Sequence, residues 1–129
     1  MKGVLLDRGR AVLLRNERAE WELPGGRLEA GETPRECVAR EVLEELNPKV
    51  GVGPLLDAWV FEVLPGSRAL VLAYGCFVQD FARMAYSAEH AGAAFFGLDE
   101  LGSLALPAGY ARAVRAWARH PAALGPSGI

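Results

Sequence analysis

Three closely spaced glutamates are the residues of this sequence best placed to do chemistry. Glu41, Glu44 and Glu45 stand at positions i, i+3 and i+4, and a helix turning about 100° per residue brings all three carboxylates to one side. Like charges at this spacing repel each other and destabilise an isolated helix by about 0.2–0.5 kcal/mol per pair. The pattern therefore indicates that a positive group lies against this face.

Two interpretations of the acidic face are open at this point. Carboxylate oxygens on a rigid element suit Mg²⁺ or Mn²⁺, which complete their coordination with water and substrate phosphate. The alternative is a face exposed to solvent, on which Arg40 pairs with Glu36 or Glu44, and for an arbitrary acidic helix this is the commoner situation. The residues around the helix favour the metal site here.

The helix that carries the acidic face has clear signals at both ends. Thr33 is suited to the N-cap, Pro34 to the first helical position, and Glu36 closes a capping box three residues after the cap. Asn47-Pro48 ends the pattern, because proline cannot continue a helix. The sequence therefore predicts a helix over residues 34–46.

A glycine-rich turn and a long loop come before this helix. From Gly26 the chain reads glycine, five residues, Glu32, seven residues, and then Arg40-Glu41-Val42-Leu43-Glu44-Glu45. This order and spacing resemble the signature of the Nudix hydrolases. That signature ends in a glycine and an aliphatic residue, where this chain has Asn47 and Pro48. Asparagine can adopt the left-handed conformation that ends a helix, so the backbone role of the glycine is kept.

The resemblance implies a function and a cofactor. It implies a metal-dependent hydrolase that cleaves the pyrophosphate bond of a nucleoside diphosphate linked to another moiety, by attack of water on phosphorus. Mg²⁺ or Mn²⁺ is the implied cofactor, held by the carboxylates of Glu41, Glu44 and Glu45 and by the backbone carbonyl of Gly26. Glu41 is the expected base or the ligand that positions the water.

Further residues are expected to support or complete the catalytic set. Arg40 and Glu32 are expected to lie behind the ligands, where a bidentate arginine fixes carboxylate rotamers and a loop carboxylate holds the loop. Glu89 lies where the family often supplies another catalytic carboxylate, although a surface glutamate is the alternative, and Gly92 stands where an acidic residue is common. Trp21 and Trp59 could stack on a base, with a core position as the alternative for both.

The resemblance leaves the substrate open. An ADP-ribose-like compound and a canonical or oxidised nucleoside triphosphate are both compatible with the resemblance. The position of Pro65 favours the ADP-ribose-like compound only slightly, because this proline is also typical of a turn. The alternative function is a Nudix-fold sensor that binds a nucleotide without cleaving it. The presence of all three glutamates argues against that function. An RNA cap-removing enzyme is a weaker alternative, since no basic groove is evident.

The remaining pattern predicts a mixed α/β (α+β) domain, a Nudix-like α/β/α sandwich with a mixed β-sheet. Short apolar runs separated by turn residues indicate two hairpins, a further short strand, a strand before a helical turn at Asp99–Leu101, and a closing amphipathic helix. In chain order the predicted elements are strands Val4–Leu6, Ala11–Arg15, Trp21–Leu23, Val50–Val63, Arg68–Gln79 and Ala91–Gly97, and the helix Ala108–Arg119.

Composition limits the possible partners and surroundings. The chain has 129 residues, 51% of them apolar, which suits one domain over residues 1–129 with a flexible tail from about residue 121. A net charge of -2 does not attract nucleic acid polymers or anionic membranes. A small nucleotide is the expected partner, and a homodimer is left open. Cys37 and Cys76 read as buried thiols of a cytoplasmic protein.

Overall fold

The computed structural model describes residues 1–84 and 92–124. The strands, in chain order, are β1 (Lys2–Val4), β2 (Leu6–Asp7), β3 (Arg10–Arg15), β4 (Trp21–Glu22), β5 (Val50–Leu64), β6 (Ser67–Val78) and β7 (Ala93–Gly97). The longer helices among the described residues are α1 (Pro34–Leu46) and α2 (Ala108–Arg119), with short 3-10 helices at Leu98–Ser103 and Pro121–Leu124, and residues 81–84 are also helical. The predicted strand Val4–Leu6 is divided at Leu5 between β1 and β2, and residues 81–84 were not predicted to be helical. The other positions agree closely with the predicted elements.

Two sheets are joined by the N-terminal segment of the chain. One is a mixed sheet of order β1-β6-β5, in which β1 is parallel to β6 and β5 is antiparallel to it. In the other, β3 pairs antiparallel with β2, β4 and β7. Only Leu5 separates β1 from β2, so a single extended pass contributes to both sheets. The pairing of β1 with β6 is a feature that the sequence pattern did not predict.

Helices cover opposite faces of this layer. Val4, Leu13 and Val71 belong to a core that includes Trp117 of α2, whereas their neighbours Leu5, Val12 and Tyr74 belong to a core with Val38 of α1. Successive side chains of a strand point to opposite faces, so each strand supplies both cores. The predicted α/β/α sandwich is confirmed.

The ends of α1 follow the predicted signals. Thr33 caps the helix and forms a capping box with Glu36. Asn47 adopts the left-handed conformation, with φ 75°, and its backbone N–H donates to the Leu43 carbonyl. The apolar side of the helix is buried on the sheet through Cys37, Val38, Val42 and Leu46. The acidic side is therefore turned away from the core.

The C-terminal segment that is expected to form a flexible tail from about residue 121 is described as far as residue 124. Pro121–Leu124 forms a short 3-10 helix, and Ala122 and Ala123 pack against the core on the side of α2. The His120 imidazole accepts a hydrogen bond from the Ala122 N–H at 3.0 Å. Small apolar residues after the helix thus find contacts that composition did not indicate. None of the helices within residues 1–84 and 92–124 is long and apolar enough to cross a bilayer.

Close packing of α2 on the sheet gives a stability prediction. A Cβ added at Gly75 would lie 2.4 Å from the Trp117 ring, so Gly75→Ala should destabilise the protein by about 1–3 kcal/mol through overpacking. The matched control is Gly51→Ala in β5, where the nearest atom to the added Cβ is 3.7 Å away and the unfolding free energy should change little. Urea denaturation measures both, and equal effects of the two substitutions would contradict this account of the contact.

Candidate active site

A hydrogen bond connects the C-terminal half of α1 to the turn at Gly25 and Gly26, which precedes the loop leading into this helix. The Gly25 N–H donates to a carboxylate oxygen of Glu45 at 2.8 Å. Gly25 has φ 146°, and a Cβ there would overlap the backbone of Met1 and Lys2, so the turn requires glycine. Burial, opposed by the Gly25 hydrogen bond, raises the pKa of Glu45 to about 7. A partly buried carboxyl of this kind is stabilised in its charged form by a nearby cation.

At Gly26 the backbone of the turn lies directly against the carboxylate of Glu41, another glutamate of the acidic face. A Cβ at Gly26 would lie 2.5 Å from the Glu41 carboxylate, so any larger residue would push the two apart. The Gly26 carbonyl accepts a hydrogen bond from the Met1 amino group at 2.8 Å. The structure therefore places the Gly26 backbone and the Glu41 carboxylate side by side.

The Arg40 guanidinium lies at the centre of the acidic cluster. Its Nε and Nη2 donate to the two carboxylate oxygens of Glu32 at 2.7 and 3.1 Å. Its Nη1 donates to Glu41 at 2.9 Å and to Glu44 at 3.4 Å. Hydrogen bonding to Glu32, and to a smaller extent to Glu41, raises the pKa of Arg40 above its ordinary value. The hydrogen bond from Arg40 holds the pKa of Glu32 at about 2.

Hydrogen bonds to Arg40 also order the loop between the turn and the helix. Nη2 donates to the Arg27 carbonyl at 3.1 Å, and Nη1 lies 3.5 Å from the Glu29 carboxylate. The Glu29 N–H donates to Glu32 at 3.0 Å. One side chain of α1 thus bonds to both ends of a loop that has no regular secondary structure, which explains how the loop keeps its place beside the acidic face.

The donor set of this face fits a hard divalent cation in its chemistry. Glu41, Glu44 and Glu45 share one side of α1, and carboxylate and carbonyl oxygens are the ligands that such ions prefer. Their side chains are paired with Arg40 and with the Gly25 N–H instead of being gathered around one point. Within the described ranges, no group of three or more acidic, histidine or cysteine side chains stands ready to hold an ion. Glu44 is 57% exposed and is free to turn.

Glu89, the expected catalytic residue outside the signature, lies outside the described residues, as does its neighbour His90. Glu89 therefore remains a prediction from the sequence.

A cavity of about 390 Å³ opens beside Gly26 and reaches α2. Its apolar walls include Trp21, Phe61 and Tyr110, and the last two rings are stacked with centroids 6.0 Å apart. Sequence reasoning identified Trp21 as a possible residue for base stacking but not Phe61 or Tyr110. Their positions in the sequence pattern are equally compatible with a place in the core. Trp59 instead packs against Gly109 and Tyr110.

Polar side chains occupy one side of the same cavity. Glu22 accepts a hydrogen bond from the Asn16 amide at 3.3 Å and lies 3.9 Å from the Lys2 ammonium. Lys2 itself donates to the Leu23 carbonyl at 3.1 Å. Aromatic walls with a few fixed polar groups are typical of a small-molecule site.

Comparison with known proteins identifies the family. The model of the NUDIX domain matches residues 2–117. The chain belongs to the Nudix family. A MutT-like protein of Streptomyces ambofaciens is 47% identical over 57 residues, which are 43% of this chain and 37% of the relative. A putative 8-oxo-dGTP diphosphatase of Bacillus subtilis is 39% identical over 57 residues, 38% of each chain. The alignments thus span little more than a third of these relatives' lengths.

Solved structures support the same fold. A Nudix hydrolase from Nitrosomonas europaea superposes with a TM-score of 0.71 at 19% identity, covering 90% of this chain and 84% of that one. At this identity the likeness concerns the fold alone. The Nudix signature in this chain is therefore set in the architecture that the family uses.

The Arg40–Glu32 pair gives a pH prediction. Because the pKa of Glu32 is about 2 in the folded protein against an ordinary value of 4.5, the pair stabilises the fold above about pH 4.5, and this contribution is lost as the pH falls towards 2. The unfolding free energy of the native protein should exceed that of Glu32→Gln near neutral pH, and the difference should shrink on acidification. A difference that stays constant from pH 7 to 2 would contradict the ion pair.

Proposed function

We propose that this protein is a metal-dependent pyrophosphohydrolase. Its substrate is a nucleoside diphosphate linked to another moiety, and water attacks phosphorus. The observation that supports the proposal is the cavity lined by Trp21, Phe61 and Tyr110, because it also reaches Gly26, whose backbone lies against the Glu41 carboxylate. A nucleoside in this cavity would direct its phosphates towards Glu41, Glu44 and Glu45.

Glu41, Glu44 and Glu45, with the Gly26 carbonyl, would hold Mg²⁺ or Mn²⁺. A bound divalent ion supplies charge neutralisation for the diphosphate and acidifies a water molecule. The chemistry of the donor set supports this assignment, and so does the raised pKa of Glu45, since a buried carboxyl gains most from a cation. Glu41 is proposed as the base or as the ligand that positions the attacking water, and Glu89 as a further catalytic carboxylate.

Arg40 is proposed to give up its contacts with Glu41 and Glu44 when these bind a metal ion, while its guanidinium stays bound to Glu32. Two of its nitrogens, Nε and Nη2, bind Glu32, whereas only Nη1 contacts Glu41 and Glu44. The guanidinium therefore stays anchored by its planar pair with Glu32 when the two glutamates turn to another cation. A lysine could not do this, because it offers no bidentate fork.

The substrate proposed first is a canonical or oxidised nucleoside triphosphate. The names of the two relatives, MutT-like and 8-oxo-dGTP diphosphatase, favour this class over an ADP-ribose-like compound, which is the second candidate. The buried free thiols of Cys37 and Cys76 suit a reducing compartment. The proposal therefore places the enzyme in the cytoplasm.

Charge removal at the ligands tests the site. Glu44→Gln and Glu45→Gln should each lower kcat by at least about 100-fold, because each removes a charged ligand, while the unfolding midpoint stays near that of the native protein. At position 45 the glutamine oxygen can still accept from the Gly25 N–H, so the turn keeps its hydrogen bond. The matched control is Glu36→Gln on the same helix, since glutamine also closes a capping box. Full activity of both ligand variants would place the reaction elsewhere.

Metal removal and a substrate panel test the reaction. EDTA should abolish hydrolysis, and Mg²⁺ or Mn²⁺ in excess should restore it. The panel consists of ADP-ribose, the four dNTPs, 8-oxo-dGTP, a diadenosine polyphosphate and a sugar nucleotide, scored for release of a nucleoside monophosphate. Activity that persists in chelator contradicts the metal. Binding without hydrolysis of any compound would assign the protein to the nucleotide sensors instead.

A further inference from the structure

A carboxylate of β4 lies on the polar side of the cavity beside Gly26. Glu22, Lys2 and Asn16 all line this cavity. Glu22 Oε2 accepts a hydrogen bond from the Asn16 amide at 3.3 Å, and Glu22 Oε1 lies 3.9 Å from the Lys2 ammonium. Both contacts are long, since hydrogen bonds between charged partners usually measure about 2.7–2.9 Å. Because each carboxylate oxygen has two lone pairs, Glu22 can accept a further N–H on each oxygen.

Asn16 holds the Glu22 carboxylate in a fixed orientation. The side-chain oxygen of Asn16 accepts hydrogen bonds from the backbone N–H groups of Arg18 and Glu20 at 2.9 and 3.0 Å. These two bonds determine which end of the amide is the donor, so the amide NH2 group is turned towards Glu22. The Asn16 N–H donates to the Glu20 carbonyl at 2.8 Å and closes the same turn. The carboxylate is therefore positioned before a ligand arrives, which lowers the entropic cost of binding.

Lys2 supplies a donor beside these acceptors. Its side chain is only 14% exposed, and its Nζ lies 5.7 Å from the centre of the Tyr110 ring. Nζ donates to the Leu23 carbonyl at 3.1 Å. An ammonium group has three N–H donors, so two remain beyond this bond. The cavity wall thus presents an N–H donor next to a carboxylate that can accept two hydrogen bonds.

This order of groups matches one edge of guanine. The Watson–Crick edge of guanine carries the O6 acceptor, followed by the N1–H and N2–H donors. Adenine and cytosine each present one amino donor next to a ring nitrogen acceptor, and uracil and thymine present one N–H between two carbonyl oxygens. Guanine is therefore the natural base that offers a carboxylate two neighbouring N–H donors and an ammonium an acceptor beside them.

We propose that Glu22 and Lys2 select guanine nucleotides at this site. The two oxygens of Glu22 accept the N1–H and N2–H of the base, and Lys2 donates to O6. The inference rests on the proposed function, because it takes the cavity to hold the nucleoside of the substrate. Neither residue contacts C8 or N7 in this arrangement, so Glu22 recognises guanine and its 8-oxidised form alike.

Binding of nucleosides without metal tests the assignment. Deoxyguanosine, deoxyinosine and deoxyadenosine are titrated into the purified full chain in EDTA, and NMR gives the three dissociation constants. Deoxyinosine lacks only the N2 amino group, so it should bind about 10-fold more weakly than deoxyguanosine. Deoxyadenosine sets the lone pair of its N1 against the carboxylate and should bind about 100-fold more weakly.

Variants of the cavity wall identify the residues that recognise the base. Glu22→Gln leaves one acceptor oxygen instead of two, so the preference for deoxyguanosine over deoxyinosine should fall from about 10-fold to about 1. Glu20→Gln is the matched control and should keep the preference, because Glu20 lines the same cavity but is already paired with Arg18 Nε at 2.9 Å. Lys2→Met should weaken the binding of both nucleosides by the same factor, since both carry O6. Circular dichroism establishes that each variant is folded.

The outcomes distinguish this inference from the proposed function. Equal affinities for the three nucleosides, or a preference that Glu22→Gln leaves intact, would overturn the guanine assignment while hydrolysis of nucleotides still stands. A deoxyguanosine preference that is lost in Glu22→Gln supports the assignment, and it does so in a chain that hydrolyses nothing, where the hydrolase proposal fails. A preference lost in Glu20→Gln instead contradicts the role of Glu22. A chain that binds none of the three nucleosides overturns the assignment together with the use of the cavity.

Discussion

The site depends on the neutralisation of carboxylates that crowd one side of a helix. Glu41, Glu44 and Glu45 repel one another in α1, and the loop adds Glu32 beside them. Arg40, on the same helix, is placed within hydrogen-bond distance of three of these side chains. The planar guanidinium binds Glu32 with two nitrogens and the helix glutamates with a third, so one side chain offsets the repulsion between all of these carboxylates.

Two adjacent glycines connect this electrostatic balance to the fold. Gly25 donates to Glu45 from a backbone conformation that favours glycine, and Gly26 lies against Glu41 where a side chain would not fit. Both glycines are held in turn by the N-terminal segment, since Lys2 forms a bridge with Gly25 and Met1 exchanges hydrogen bonds with Gly26. The N-terminal segment that joins the two sheets therefore also holds the turn beside the acidic face.

The cavity arises from the same junction. It lies where β4, the turn at Gly26, the β5–β6 hairpin and the start of α2 come together. Phe61 and Tyr110, which are far apart in the sequence, stack there only because the hairpin extends far enough to reach α2. The two faces of the β5–β6 hairpin thus have different surroundings: Phe61 on one face forms part of the cavity wall, whereas Val60 on the other is exposed.

Local signals in the sequence determined the helix, the turns and the order of the elements. Thr33 and Asn47 set the ends of α1 because capping and the left-handed conformation depend on neighbouring residues alone. The spacing of the glutamates likewise set their common face and the family. Only the tertiary structure decided that β1 pairs with β6, that Phe61 meets Tyr110, and that Arg40 binds the loop residue Glu32 with two nitrogens while its third contacts Glu41. Such contacts join distant segments or select one side-chain rotamer among several, and neither choice is encoded in residue spacing.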